Sequence, residues 1–268
     1  AVVNPDEIVQ SVEPAYPVYK AGTLLADGQY RPLYLTEKND WLPSPAQIEP
    51  KAKLLFINSP SNPTGTVYPL QLFQQIIKVA RKQDIIVVND AAYSEIYFDA
   101  PPPSILQVDG AKEVAVEFHS VSKTFGVPGF RIGFLVGNKY VLRALSSLKK
   151  YVDSGQFLPL QIAIARAYQN PEPIAKIRER YVQRRQIFTS ILPDWRLPQA
   201  TFYLWNSIPS GQNSRQFSLE LAKEAGIVVL PGGALGKTGE GNIRLSLTLP
   251  EEDIKEGALR LRKLRLQS

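Results

Sequence analysis

Along the chain, short apolar runs alternate with stretches in which apolar residues recur every three or four positions. The first pattern marks strands buried on both faces, and the second marks helices with one face on a core. Lys53–Asn58, Ile85–Asn89, Val114–Phe118 and Phe130–Val136 read as strands, the last ended by Gly137 and Asn138. Between the first two, Leu72, Phe73, Ile76, Ile77 and Ala80 predict a helix over Leu70–Lys82. Further helices are expected over Lys139–Tyr151 and Leu160–Tyr168. This alternation predicts an α/β fold, a mostly parallel sheet with flanking helices. A long helix over Pro173–Leu192, with Pro173 in its first turn, opens a different texture. Strands at Thr201–Asn206, Ile227–Leu230 and Asn242–Thr248, with helices at Ser214–Glu224 and Glu251–Leu264, predict a smaller α+β unit. Gly226 closes the first of those helices and acidic residues open the second. The expected division is a large domain over 1–172 and a small C-terminal domain over 173–268. Pro101, Pro102 and Pro103 mark a surface loop, because no helix or ladder accepts three prolines.

Composition narrows the chemistry. The 268 residues carry 31 basic and 25 acidic side chains, a net charge of +6. The basic residues are spread along helices rather than interleaved with aromatics, which argues against a nucleic-acid surface and suits small anions. No cysteine is present, so disulfide and thiolate chemistry are excluded, and a single histidine, His119, leaves no histidine-rich metal site. No apolar run reaches membrane-spanning length and no signal peptide is visible, so a cytoplasmic protein is expected. The chain lacks methionine altogether, even at its start, and an N-terminal part is expected to precede it.

Three clusters follow predicted strands, at the carboxyl ends where α/β sheets place ligands. In the first, Ser120, Ser122 and Thr124 surround Lys123, and Arg131 follows eight residues on. Hydroxyls and a guanidinium suit a phosphate, and cationic surroundings keep the lysine neutral enough to form a Schiff base. A polar surface turn would explain a lone lysine, but not this company. In the second, Ile85–Val88 delivers Asp90, with Tyr93 three residues on. That carboxylate could hold a pyridine nitrogen protonated or, equally, cap a helix. In the third, Asn58-Ser59-Pro60-Ser61-Asn62-Pro63-Thr64-Gly65 makes a rigid turn able to present the Asn62 amide. A plain turn before the Leu70 helix accounts for it as well.

In this order the motifs N-P-T-G, Asp-x-x-Tyr and S-x-S-K-x-x-G, then the arginine, resemble the class I/II aminotransferases, pyridoxal-phosphate enzymes of fold type I. The resemblance implies that 1–172 is a cofactor-binding domain, incomplete at its N-terminus. It implies pyridoxal 5'-phosphate bound to Lys123, which also shuttles protons, and Asp90 against the pyridine nitrogen. Tyr93 and Asn62 would contact the phenolic oxygen, and Ser120 and Arg131, with Ser122 helping, the phosphate. Arg244, in Gly241-Asn242-Ile243-Arg244-Leu245-Ser246, resembles the arginine that grips the substrate α-carboxylate, with Asn62 beside it; an exposed strand arginine is the plainer alternative. Pro14-Ala15-Tyr16-Pro17-Val18-Tyr19 resembles the segment whose ring stacks on the cofactor: Tyr16 first, Tyr19 as fallback, core packing for both as the alternative. Pro231-Gly232-Gly233 resembles a turn near the substrate, and Asp153-Ser154-Gly155-Gln156-Phe157 resembles stretches of aspartate-, alanine- and diaminopimelate-related members. His119 reads as the last residue of a buried strand. The implied activity is amino transfer between an amino acid and a 2-oxo acid in a homodimer, with no nucleic-acid or membrane partner. The rivals are a β- or γ-elimination lyase on the same scaffold and an aminotransferase-like regulator domain.

Overall fold

The computed structural model describes residues 1–265. Six strands form the main sheet: β1 (Ile8–Glu13), β2 (Gln29–Tyr34), β3 (Ala52–Asn58), β4 (Ile86–Asp90), β5 (Ala115–Ser120) and β6 (Gly133–Gly137). Their spatial order is β2-β1-β3-β4-β5-β6, parallel except for the antiparallel β5–β6 pair. The short helix α1 (Val18–Leu25) crosses from β1 to β2, and α2 (Leu70–Gln83) crosses from β3 to β4. The buried face of α2 is Leu72, Phe73, Ile76, Ile77 and Ala80, as its spacing predicts. Each large side chain buried there contributes about 1.5–3 kcal/mol.

The hydrophobic pattern does not reveal β1 or β2, for two physical reasons. β1 buries Gln10, Ser11 and Glu13 beside Val9 and Val12, so neither an apolar run nor an alternation shows. β2 contains Pro32, which is tolerated because β2 lies at the edge and pairs only with β1.

Two single turns flank β5: α3 (Ala111–Val114) just before it and α4 (Val121–Thr124) just after. The expected strand over Phe130–Val136 starts later, at Gly133. Pro128–Phe130 is a 3-10 turn and Arg131 is left-handed at φ 53, which delays the strand. Helices α5 (Lys139–Val152), α6 (Leu158–Ala167) and α7 (Glu172–Ile191) lead to a second, antiparallel sheet. It orders β7 (Tyr203–Ser207), β9 (Asn242–Ser246) and β8 (Leu230–Pro231), packed by α8 (Ser214–Glu220) and α9 (Glu251–Arg265). The strand expected over Ile227–Leu230 shrinks to two residues. The helix expected through Glu224 passes into a π-turn over Leu221–Ala225, and Gly226 closes it at φ 65.

The cores of the two sheets interlock. Trp205 and Leu235 join the core of the first sheet, and Tyr93 and Ile96 join that of the second. Among the described residues, no helix is long and apolar enough to cross a membrane.

Candidate active site

Parallel pairing brings the carboxyl ends of β1, β3, β4 and β5 to one edge of the sheet. Because β6 runs the other way, its first residue, Gly133, pairs with Ser120 at that same edge, and Arg131 arrives there too. A cavity of about 720 Å³ opens at this edge. All nine residues predicted from the sequence, Tyr16, Asn62, Asp90, Tyr93, Ser120, Ser122, Lys123, Arg131 and Arg244, line it.

The turn after β3 is built by Asn58. Its amide nitrogen donates to the Pro60 carbonyl (3.1 Å) and the Asp90 carbonyl (2.6 Å), and its oxygen accepts from the Asn62 backbone N–H (2.7 Å). One buried side chain thus fixes the turn and ties it to the end of β4. Asn62 then accepts a 2.7 Å hydrogen bond from Arg244 through its Oδ1.

Asp90 accepts from the Tyr19 hydroxyl (2.7 Å) and the Ala92 N–H (3.2 Å). Burial pushes its carboxyl up from the ordinary value, while those two hydrogen bonds and the charge on Lys123 pull the other way. Among the described residues no Lys or Arg forms an ion pair with it, so the buried carboxylate has no ion-pair partner. Tyr93 is buried, and its hydroxyl donates to that of Tyr203 at 3.2 Å. Burial, then the proximity of Tyr203, raises the Tyr93 phenol well above its ordinary value, so it remains a neutral donor.

Lys123 sits on α4 with its Nζ 5.8 Å from the Tyr93 ring and 5.6 Å from the Phe202 ring. Burial lowers its pKa, Arg244 and Arg131 lower it further, and Asp90 opposes them. This is the direction a Schiff-base amine requires. The side chains of Ser120 and Ser122 make no hydrogen bond among the described residues. Arg131 is exposed and donates to its own loop, at the Pro128 carbonyl (2.7 Å). Tyr16 is half exposed and meets Tyr19 edge-on at 6.2 Å. Tyr19 is committed elsewhere: its ring stacks on Phe56 at 5.0 Å while its hydroxyl serves Asp90.

His119 departs from expectation. It is the penultimate residue of β5 rather than the last, and its side chain is mostly buried, with Nε2 3.0 Å from Glu117 Oε1 and Nδ1 3.4 Å from Ser94 Oγ. The Asp153–Phe157 stretch lies at the surface, outside the cavity. Motif reading places Asn58 in the turn without a role of its own and leaves out Phe202 and Tyr203. The antiparallel register supplies Tyr203: Trp205 faces Arg244, so Tyr203, two residues earlier, shares its side of the sheet. Only the pairing, which a single sequence does not state, could have revealed that.

The residues fit pyridoxal phosphate on these observations. A lysine whose pKa is lowered by burial and nearby guanidiniums lines the same cavity as a buried carboxylate with no ion-pair partner, with two unbonded serine hydroxyls beside it. The comparisons agree. The LL-diaminopimelate aminotransferase of Aquifex aeolicus is 44% identical over 276 residues, covering 99% of this chain and 71% of that protein. The enzyme of that name from Desulforudis audaxviator is 43% identical over 270 residues, covering 97% of this chain and 69% of that one. An aminotransferase structure from Staphylococcus aureus superposes with a TM-score of 0.94 at 34% identity, over 99% of this chain and 73% of that one. The family model for aminotransferase class I and II matches residues 1–261, and with the relatives it shows that this chain belongs to the class I and II aminotransferases, enzymes of amino-group transfer.

Proposed function

We propose that the chain moves an amino group between an α-amino acid and a 2-oxo acid using pyridoxal 5'-phosphate held as a Schiff base on Lys123. The observation that carries this is the pairing, in one cavity, of a pKa-lowered lysine with a buried carboxylate that has no ion-pair partner. When bound, the cofactor supplies the electron sink for the α-carbon. Everything else falls to side chains of this chain. Arg131, Ser120 and Ser122 hold the phosphate, and the unbonded serines are the two that need no rearrangement. Asp90, steadied by Tyr19, keeps the ring nitrogen protonated. Tyr93, a neutral phenol, donates to the phenolic oxygen, and the Asn62 amide nitrogen joins it while Asn62 Oδ1 steers Arg244. Tyr16, whose ring is open to the cavity, covers one face. Arg244 receives the substrate α-carboxylate bidentately. Lys123 Nζ, freed when the substrate amine takes its place, would accept the proton from the substrate α-carbon and serve as its carrier within the site.

The amino donor to test first is LL-diaminopimelate, the substrate in the relatives' name, with 2-oxoglutarate as acceptor. Borohydride reduction of the loaded protein followed by peptide mapping should place the label on Lys123, and Lys123→Ala should take none. A label retained elsewhere in Lys123→Ala refutes the assignment. Release of ammonia without the aminated cofactor would favour the elimination lyase instead.

A further inference from the structure

Tyr203 belongs to none of the sequence motifs, yet it lines the cavity. Its side chain is buried at the start of β7, and Phe202 backs its ring at 4.7 Å. The Arg244 guanidinium lies over the ring face, 4.0 Å from Cζ to centroid. The hydroxyl meets that of Tyr93 at 3.2 Å, and the two rings meet edge-on at 5.7 Å. Resting on the function proposed above, we infer that Tyr203 is a positioning residue that holds both the carboxylate-binding Arg244 and the cofactor-contacting Tyr93, each through a separate group.

The ring is needed because Arg244 is otherwise weakly held. Among the described residues it makes one hydrogen bond, to Asn62, and no ion pair. One bond at the tip of a long, flexible side chain leaves it free to swing. The aromatic face restrains the guanidinium plane while leaving its other N–H groups for a carboxylate. The hydroxyl is needed because a phenol both donates and accepts. When Tyr93 turns its proton toward a ligand oxygen, its own oxygen needs a donor, and Tyr203 is 3.2 Å away. Two phenols in series polarise each other, so the second strengthens the first.

Two substitutions separate the groups. Tyr203→Phe removes the hydroxyl and keeps the ring; Tyr203→Leu removes both. Each is loaded with pyridoxal phosphate and measured by pH titration of the visible absorbance band and by KM for amino donor and oxo acceptor. Tyr203→Phe should move the titration midpoint and leave both KM values within about twofold. Tyr203→Leu should move the midpoint and raise both KM values by a common factor of about five, the loss of one cation–π contact. The ring-keeping variant therefore rescues KM but not the spectrum. An unshifted titration in Tyr203→Phe overturns the hydroxyl role, and an unchanged KM in Tyr203→Leu overturns the ring role. Equal damage to every readout in both variants overturns the division of labour. A wild-type protein that forms no reducible bond at Lys123 sinks the underlying reading; a normal wild type with unaffected variants sinks this inference alone.

Discussion

Glu117 offers the sharpest test of how the sheet is held together beneath the site. It is 2% exposed, and four donors converge on its two oxygens. Ser104 Oγ (2.8 Å) and His119 Nε2 (3.0 Å) reach Oε1; Asn89 Nδ2 (3.0 Å) and the Ile105 N–H (3.1 Å) reach Oε2. Glu117→Leu removes both acceptors. Ser104 can rotate and His119 can change tautomer, but the Asn89 amide and the Ile105 N–H cannot. Two orphaned buried donors at about 1–3 kcal/mol each give about 2–6 kcal/mol, a large part of a stability of about 5–15 kcal/mol. Glu117→Gln can point its oxygen at those two fixed donors and its NH₂ at the two adaptable partners. Its cost should then be about 1–2 kcal/mol, the difference between charge-assisted and neutral bonds. Urea unfolding followed by tryptophan fluorescence measures both. The pH dependence separates them from ordinary packing loss. Burial pushes the Glu117 carboxyl up, but the bonds from His119, Asn89 and Ser104 outweigh it and hold it below its ordinary value. A depressed folded pKa adds stability that is full above the unfolded value of about 4.3 and lost as pH falls through the folded one. Glu117→Gln should flatten that acid limb. Equal losses in Gln and Leu, or an unchanged acid limb in Gln, would refute the reasoning.

Three further outcomes follow from the geometry. Arg244→Gln removes a positive charge that lowers the Lys123 pKa, so the pH midpoint for Schiff-base formation with pyridoxal phosphate should move upward; a midpoint that stays or falls contradicts the assignment. Tyr19→Phe keeps the stack on Phe56 but deletes the 2.7 Å bond to Asp90, so cofactor affinity, read by fluorescence titration, should fall about tenfold or more. Gly236 sits at φ +130, and a β-carbon there would run into the Glu13 side chain, so Gly236→Ala should cost about 1–3 kcal/mol in denaturant unfolding.

The fold was legible where periodicity is strong. The face of α2 and the apolar strands β3 to β5 declare themselves, because burial on both sides or along one stripe writes itself into side-chain type. β1 was illegible because it spends buried positions on Gln10, Ser11 and Glu13, and the partners of Gln10 and Glu13 lie far along the chain. The site was legible for the same reason that β3, β4 and β5 were: a strand followed by a polar cluster puts the cluster at the carboxyl edge. Asn62, Asp90 and Lys123 come from three successive such junctions. Tyr19 reads from the sequence as a stacking ring or as core packing, and its role as a donor to Asp90 is hidden because that bond spans 71 positions. Tyr203 escapes motif reading because its role depends on a cross-strand neighbour.

The loop that follows β8 is bound to the end of β1 at three points. The Ala15 N–H donates to the Leu235 carbonyl (3.0 Å), the Lys237 N–H to Glu13 Oε1 (2.6 Å) and the Thr238 hydroxyl to the Glu13 carbonyl (2.8 Å). Tyr16 follows this clasp directly on one side, and on the other the chain runs a few residues into β9 and Arg244. The two walls of the cavity therefore share a fastening. A change of substrate preference in such a site cannot be made one wall at a time: any insertion or bulky replacement in the loop that moves Arg244 also drags the Tyr16 segment. Enzymes diverging on this framework should vary their selectivity from surfaces outside the clasp and keep its backbone length fixed.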